Sequence, residues 1–358
     1  MSVKLKNSKL ITQVLCLLIV TLIILPYSLP SAQADGSDTI ASAKNTLNMC
    51  YTHAKEAEAT GANITRLQET LNDAGLLLSK AELANAQNDI ASATNYANQA
   101  QSMLSDFVYR ANAIVDTTSH QQQTAFLYNI VGLIVGAFVI IGSSVVLWIY
   151  LTKKASNKQL SIKRFKVLFF VVPLILMLLV ASPVLQHFFV LPQNDRFTEF
   201  WILGPEQRAE NYPHDIVKNA EYQVFLGIHN NLGSVGYYMV QVKLLDPSIA
   251  GPDTFKRTSS SMPALYNFNV FVAAEQNVQL PMDFSFDYSL IDFECYFNSL
   301  ILGDEKINLE GYSSMQDSIS GEYYGYLVFE LWLYEDSINQ FLYHERYLSV
   351  RLNMTATS

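Results

Sequence analysis

Hydrophobic positions along this 358-residue chain follow three different periods. Across residues 37–118 they step by threes and fours. Ile40, Ala43, Leu47, Cys50, Ala54 and Ala57 form one seam. After Gly61 the pattern restarts with Ile64, Leu67, Leu71, Ala74, Leu78 and Ala81. After Asn88, read as an N-cap, it restarts with Ile90, Ala93, Ala97, Ala100, Leu104, Phe107, Ala111 and Ile114. Heptad spacing without proline predicts three helices of similar length, folding as an alanine-rich, antiparallel three-helix coiled coil. Small seam residues imply close helix approach and a spacer or docking bundle rather than a ligand pocket. Cys50 reads as a small buried hydrophobe of that seam.

From 125 to 151 and again from 167 to 190 polar residues almost vanish. Two apolar runs, 125–151 and 167–190, are each long enough to cross a bilayer as a helix, where only a helix satisfies the backbone from within. Residues 152–166 separate them. This stretch carries Lys153, Lys154, Lys158, Lys163, Arg164 and Lys166, with no carboxylate. Short cationic loops stay cytoplasmic. Residues 37–118 and 193–358 are therefore both expected outside the cell, on a multi-pass cell-membrane protein. Gly132 and Gly136 let helices approach closely in lipid. No ionisable side chain lies in mid-span, which gives an ion path or proton relay no candidate. His120 and His187 fall at the outer interface.

Residues 1–34 read as a secretory signal: Lys4, Lys6 and Lys9, an apolar core, Pro26, and the small-x-small site Ala32-Gln33-Ala34. The alternative is an uncleaved anchor from Leu10 to Leu29. Helix parity favours cleavage. If the third helix ends at the membrane, the first begins about 35 Å away from it, for a helix of about 23 residues at about 1.5 Å per residue. The few residues after Leu29 would have to bridge that gap.

From residue 193 onward the period is two. Tyr222, Val224, Leu226 and Ile228 alternate with polar or small neighbours, as do Tyr238 to Leu244, Phe268 to Val272, Leu327 to Leu333 and Leu348 to Leu352. Turn clusters separate them, among them Asp246-Pro247, Gly251-Pro252 and Gly303-Asp304. Seven or eight short strands predict an all-β, immunoglobulin-like sandwich over 193–358, with a barrel as the alternative.

Charge sharpens this picture. The net charge is −9, and residues 193–358 hold 22 Asp and Glu against 9 Lys and Arg. An acidic outer domain argues against nucleic acid and against anionic lipid as partners. Three cysteines, one of them (Cys16) inside the leader, exclude a disulfide-stapled scaffold.

Candidate chemistry is sparse. Nucleophile-elbow, zincin, dinucleotide and P-loop motifs are missing, and His344-Glu345 lacks the second histidine of a zinc helix and lies in a predicted strand. Asp283, Asp287, Asp292 and Glu294 are oxygen ligands of the type Ca²⁺ takes, but at no calcium-loop spacing, so solvent-facing strand carboxylates are the simpler reading. Tyr323, Tyr324 and Tyr326 offer aromatic faces for a sugar or a protein. Asn63 and Asn353 head glycosylation sequons. No metal, cofactor or catalytic residue is expected.

Phe197, Thr198, Glu199, Phe200, Trp201, Ile202, Leu203, Gly204 and Pro205, then Ala209, Glu210, Asn211, Tyr212 and Pro213, resemble an uncharacterised family of archaeal membrane proteins catalogued only as a domain of unknown function. Gly227, Ile228, His229, Asn230, Asn231, Leu232 and Gly233, followed by Tyr238, form a second stretch similar to it, with Leu232 where the family pattern carries a glutamate. The resemblance covers roughly 125–358. It implies membrane helices followed by an outward β-domain, and brings no activity or cofactor. Physically, Phe197 to Leu203 suits a first strand, with Trp201 expected as a core aromatic or an interface anchor.

The function expected from these features is non-catalytic: a cell-envelope protein that presents a helical bundle and a β-sandwich to an unidentified extracellular or membrane protein. The alternatives are a surface glycan-binding module and an accessory subunit of a membrane glycosylation or protein-processing complex.

Overall fold

A computed structural model describes residues 36–155, 171–175 and 196–355. The leader 1–34, Lys158, Lys163, Arg164 and Lys166 of the basic loop, and the second apolar run apart from residues 171–175 lie outside the described residues, as does the side chain of Lys154; the Lys153 side chain is exposed.

Among the described residues four helices come first: α1 (Gly36–Ala59), α2 (Thr65–Ala86), α3 (Ile90–Leu104) and α4 (Phe107–Ala155). The positions that step by threes and fours are buried in one shared cluster, from Ile40 and Ala43 through Leu71 and Leu78 to Phe107 and Ala111; Ile90 is exposed. The α1–α2 turn closes at Gly61, whose positive φ is a left-handed conformation that costs glycine little. Asn88 is not the N-cap. It takes up a left-handed backbone conformation after the end of α2. The Asp89 carboxylate instead accepts a hydrogen bond from Ser92 N at 3.0 Å and caps α3.

The residues between the last heptad position and the apolar run do not interrupt the helix. Helix α3 passes into α4 through a tightened turn at Ser105 and Asp106. Helix α4 then runs unbroken for 49 residues. At about 1.5 Å per residue its length is roughly 73 Å. Residues 115–124 contain neither Gly nor Pro, and the Thr117, Ser119 and Thr124 hydroxyls bond back to carbonyls four residues earlier. Polarity alone therefore does not stop the helix. This helical run is long and apolar enough to cross a membrane, and no residue of its most apolar stretch is buried.

Eleven strands follow, in two sheets. One is ordered β1 (Phe197–Leu203), β3 (Tyr222–Asn231), β6 (Gln276–Ile291), β7 (Glu294–Leu302), β8 (Glu305–Asn308), with β9 (Ser313–Met315) also on β7. The other is ordered β2 (Asp215–Val217), β11 (Gln340–Thr355), β10 (Tyr324–Glu335), β4 (Gly236–Leu245), β5 (Tyr266–Val272). All pairings are antiparallel except β2 with β11. The alternating residues Val224, Leu226 and Ile228 face Val240, Val242, Phe329 and Leu352 across one core. Period two thus places one face of each sheet inward.

Candidate functional site

The helices and the sheets form one body, joined along a seam. The outward face of β4, β5 and β10 presents Tyr237, Phe271 and Tyr334, which are buried in the same cluster as the helix seams. Phe271 stacks on Tyr237 with ring centroids 4.1 Å apart, and the Tyr51 ring packs on both. Burial pushes the Tyr51 and Tyr237 hydroxyls well above the usual phenol range.

Strand β5 is the edge of its sheet, and α2 covers it. The Asn72 side chain accepts from Phe271 N at 2.7 Å and donates to Phe271 O at 3.1 Å, and Gln68 Nε2 donates to the same carbonyl at 2.9 Å. An amide here takes the place of a neighbouring strand and blunts an edge that would otherwise template aggregation. Gly75 makes the approach: a Cβ there would meet Asn269 Cβ at 3.1 Å. At one end of the seam the Glu58 carboxylate accepts from Val235 N and Ala274 N, and Lys55 pairs with Asp336 at 2.5 Å. At the other, Lys80 pairs with Glu305 at 2.9 Å.

The family-like residues converge elsewhere, on a buried polar network. Asn230 lies fully buried and donates through Nδ2 to Ser234 O and Val272 O, at 2.8 and 2.7 Å. Its Oδ1 accepts from Tyr238 OH at 3.1 Å and from Leu232 N at 3.0 Å. With the Tyr238 proton committed to Asn230, Thr198 Oγ1 donates to Tyr238 OH at 3.0 Å, and Arg346 Nε holds Thr198 O at 2.6 Å. Burial pushes the Tyr238 phenol up to about 12, so it stays a donor. Among the described residues no buried side-chain polar atom of Thr198, Asn230, Tyr238 or Arg346 is left without a partner, and the contacts pin β1, β3, β4, β5 and β11 together. Leu232, at the glutamate position, packs against the apolar core. The network has the character of a structural pin, not of a reactive site.

Trp201 is not a core aromatic. Thr198, Phe200 and Ile202 face inward, so Trp201 faces outward, over Gly227 on the neighbouring strand. A Cβ on Gly227 would lie 2.0 Å from Trp201 Cε2. Gly227→Ala is expected to cost about 1–3 kcal/mol by displacing the ring. In a Trp201→Ala background the same change should be near neutral, which a double-mutant cycle in urea measures. Equal costs in both backgrounds would show that the two positions do not interact. Glu199 reaches His229 at 3.3 Å, and the Phe197 ring meets the His229 ring edge-on. Gly204 N donates to Arg208 O at 2.7 Å, and a Cβ at Gly204 would meet Glu210 O at 2.1 Å; Tyr212 OH donates to Ile202 O. The stretch from Gly204-Pro205 to Tyr212-Pro213 therefore closes on itself.

The other sequence candidates are dispersed. Asp283 accepts from Gln223, Asp287 pairs with Lys218 at 2.9 Å, and Glu294 accepts from Tyr296. Among the described residues, no three His, Cys, Asp or Glu side chains are grouped to hold a metal. Tyr323 packs against the core, whereas Tyr324 lies under the Arg351 guanidinium, 4.2 Å from its ring, and edge-on to Tyr326; they form no common platform. Asn63 is exposed, with its Oδ1 accepting from the Thr65 hydroxyl, but Asn353 is half-buried in β11 and donates to Asp215 at 2.9 Å.

His344 sits at a bulge in β11 that the sequence did not signal. Its Nε2 is buried without a hydrogen-bond partner among the described residues. Desolvation, helped by Arg346 and opposed by Glu345, pushes the imidazole down to about 4. A depressed histidine contributes stability that is full above the unfolded value of about 6.5 and is lost as pH falls toward the folded one. Between pH 7 and 5 the loss expected from this group is roughly 2 kcal/mol. His344→Gln should flatten the fall in unfolding free energy over that interval, and an unchanged slope would remove His344 as its cause.

Where the α2–α3 turn meets β7 and β8, a groove of about 800 Å³ is lined by Gln87, Asn88, Asp287, Asn298, Asn308 and Tyr312 over an apolar floor of Leu83, Leu265 and Ile307. No residue pattern pointed to it, because its walls come from a helix turn and strands that lie far apart along the chain.

A two-sheet β-domain fused to a helical module with a long apolar helix defines the class. Residues 191–290, which contain the whole polar network except Arg346, match the family model of a domain of unknown function (DUF1616). No curated protein matches the chain. Among solved structures, similarity extends to a CARDB domain from Pyrococcus furiosus in complex with di-metal ions, at 9% identity over 47% of this chain and 95% of that one, with a TM-score of 0.23. It also extends to a β-glucosidase from Listeria innocua in complex with glucose, at 13% identity over 45% of this chain and 16% of that one, with a TM-score of 0.21. Likeness at this level fixes no activity.

Proposed function

We propose that the chain is a non-catalytic cell-envelope protein, held by a two-helix membrane hairpin, whose helical module and immunoglobulin-like β-domain act outside the cell as one rigid surface for a protein partner. One observation carries the reading. Gln122, just before the apolar run, donates to Thr60 O at the end of the body where Glu58 holds Val235 and Ala274. Phe197, where the chain re-enters the β-domain, pairs with Asn231 at that same end. A helix that leaves and a strand that returns on one side fit an apolar hairpin between them, with the lysine-rich loop 152–166 on the far side of the bilayer.

The test is labelling of intact cells with a membrane-impermeant maleimide. Met49→Cys and Ile319→Cys should label without lysis and Lys158→Cys only after it. Labelling of Lys158→Cys in unbroken cells, with the other two protected, would invert the topology. Crosslinking in the same membranes then identifies the partner, and distinguishes a surface protein from a membrane glycosylation or protein-processing complex.

A second reading, glycan binding, is favoured by the groove rather than by the adjacent tyrosines, since side-chain amides, a hydroxyl, the Asp287 carboxylate, the Lys306 ammonium and one aromatic ring over an apolar floor suit the mixed faces of a sugar. Binding on a glycan array that is lost in Asn308→Ala but kept in Tyr324→Ala would support it; no binding by the unaltered chain would remove it.

A further inference from the structure

The end of the β-domain that faces the apolar helix has a level relative to the membrane that can be read from contacts. Thr60 is fixed to Gln122. The apolar run begins at Ala125, about 4.5 Å further along α4. In the turn before Thr60, Glu58 grips Val235 and Ala274, and one turn earlier Lys55 grips Asp336 in the β10–β11 turn. The loops 231–236 and 273–276 and the turn 336–339 therefore lie near the height at which α4 becomes apolar. The polar layer on each side of a bilayer core is only about 5–8 Å deep. Three large apolar side chains are exposed at this end: Phe197 (38%), Ile338 (48%) and Leu342 (49%).

We propose that this end of the β-domain is a lipid-docking surface, with Phe197, Ile338 and Leu342 seated in the interfacial layer of the membrane that α4 crosses. The inference rests on the spanning role of α4 given above. It names the bilayer as the occupant because the covalent path and the Thr60–Gln122 bond leave little depth between this surface and the apolar run. Glu199, Glu275, Glu335 and Asp336 are also at this end; among the ion pairs described, Asp336 has a cationic partner there in Lys55, and Glu199 meets the His229 ring. Attraction to anionic lipid is therefore not the driving force; burial of apolar side chains is, and the contact should be insensitive to salt. It would hold the rigid body upright, so that the loop carrying Ile319, just before β10, and the groove at the opposite end point away from the membrane.

Nitroxide labels on the full chain in phosphatidylcholine vesicles test it, with Cys16→Ser as background. Cys50 and Cys295 are fully buried and stay unlabelled while the protein is folded. Labels at Ile338→Cys and Leu342→Cys are expected to show a ratio of oxygen to nickel-chelate accessibility several-fold above that at Ile319→Cys, which is 94% exposed in the loop before β10 at the opposite end. The excess should be the same in low and high salt. A label at Val139→Cys reports α4 itself. If Val139 reads as lipid while Ile338 and Leu342 match Ile319, the docking surface is refuted and the spanning helix stands. If Val139 reads as water, the spanning helix fails and the docking surface falls with it.

Discussion

Phe271→Ala is expected to lower the unfolding free energy by about 3–5 kcal/mol, the range for deleting a buried aromatic ring. The ring has no solvent exposure and sits where three surfaces meet: the outward face of edge strand β5, the Tyr51 ring of α1 and the α2 backbone at Gly75. Neither module can fill the void alone, because Tyr237 and Asn72 are both held in place by their own contacts to β5. Coupling should suffer as well as stability. In the unaltered protein, helix content by circular dichroism and tryptophan emission from Trp201 and Trp332 should fall in one urea transition. In Phe271→Ala the helical signal is expected to fall first, since the seam is what makes the helices and the sheet one cooperative unit. A loss below about 1 kcal/mol with coincident transitions would mean that the ring contributes little to the seam and that the modules fold without it.

Removal of one charge from the buried Lys243–Glu330 pair is expected to cost a comparable amount, about 3–5 kcal/mol. The two side chains are 4% and 0% exposed and 2.7 Å apart, on the outward face of β4 and β10. Ser260 closes over them: its carbonyl accepts from Lys243 Nζ at 3.2 Å, and its N–H donates to Glu330 Oε1 at 2.7 Å. Lys243→Met leaves the fully buried Glu330 carboxylate without its ammonium partner. Lys243→Met combined with Glu330→Leu removes both desolvation costs, and the double variant should recover most of the stability or exceed the original. The pair's distinct role is to fasten residues 246–265 across the sheet. Limited proteolysis of the stable double variant should therefore cut this loop faster than in the parent. A double variant as unstable as Lys243→Met alone would show that the pair contributes more than its own burial costs.

The two predictions concern contacts that no period in the chain announces. Heptad spacing named the residues buried between α1, α2, α3 and the first turns of α4, from Ile40 to Ala111 with Ile90 excepted, because a helix brings positions three and four apart onto one face whatever else the protein does. Alternation named Val224, Leu226, Phe329 and Leu352 for the same kind of local reason. The acidic residues Asp283 and Asp287 belonged to the same alternation: β6 turns Met282, Phe284, Phe286 and Tyr288 inward and leaves the carboxylates outside. Asn88 was misassigned by the same local logic. Asn and Asp are both good caps, and only the left-handed backbone at Asn88 shows that the helix before it, not the one after it, uses it.

The candidate site was less legible. The two family-like stretches could be seen in the sequence, but not that Thr198, Asn230 and Tyr238 form one hydrogen-bonded chain, nor that Trp201 covers Gly227. Such pairings depend on the β1–β3 register and on which strand returns beside β4. The parallel pairing of β2 with β11 joins Asp215 to Asn353, from opposite ends of the β-domain, and so short a strand carries no periodic signal of its own.

Composition and period alone thus settled the long apolar helix, the two kinds of module and the face each buries, since these follow from how a single helix or strand repeats. Tertiary structure alone settled that α2 lies along β5 and that one surface is shared. A strand pattern states that Tyr237 and Phe271 need cover, but whether helix, lipid or another chain supplies it is decided by residues far away, here Tyr51, Asn72 and Gly75.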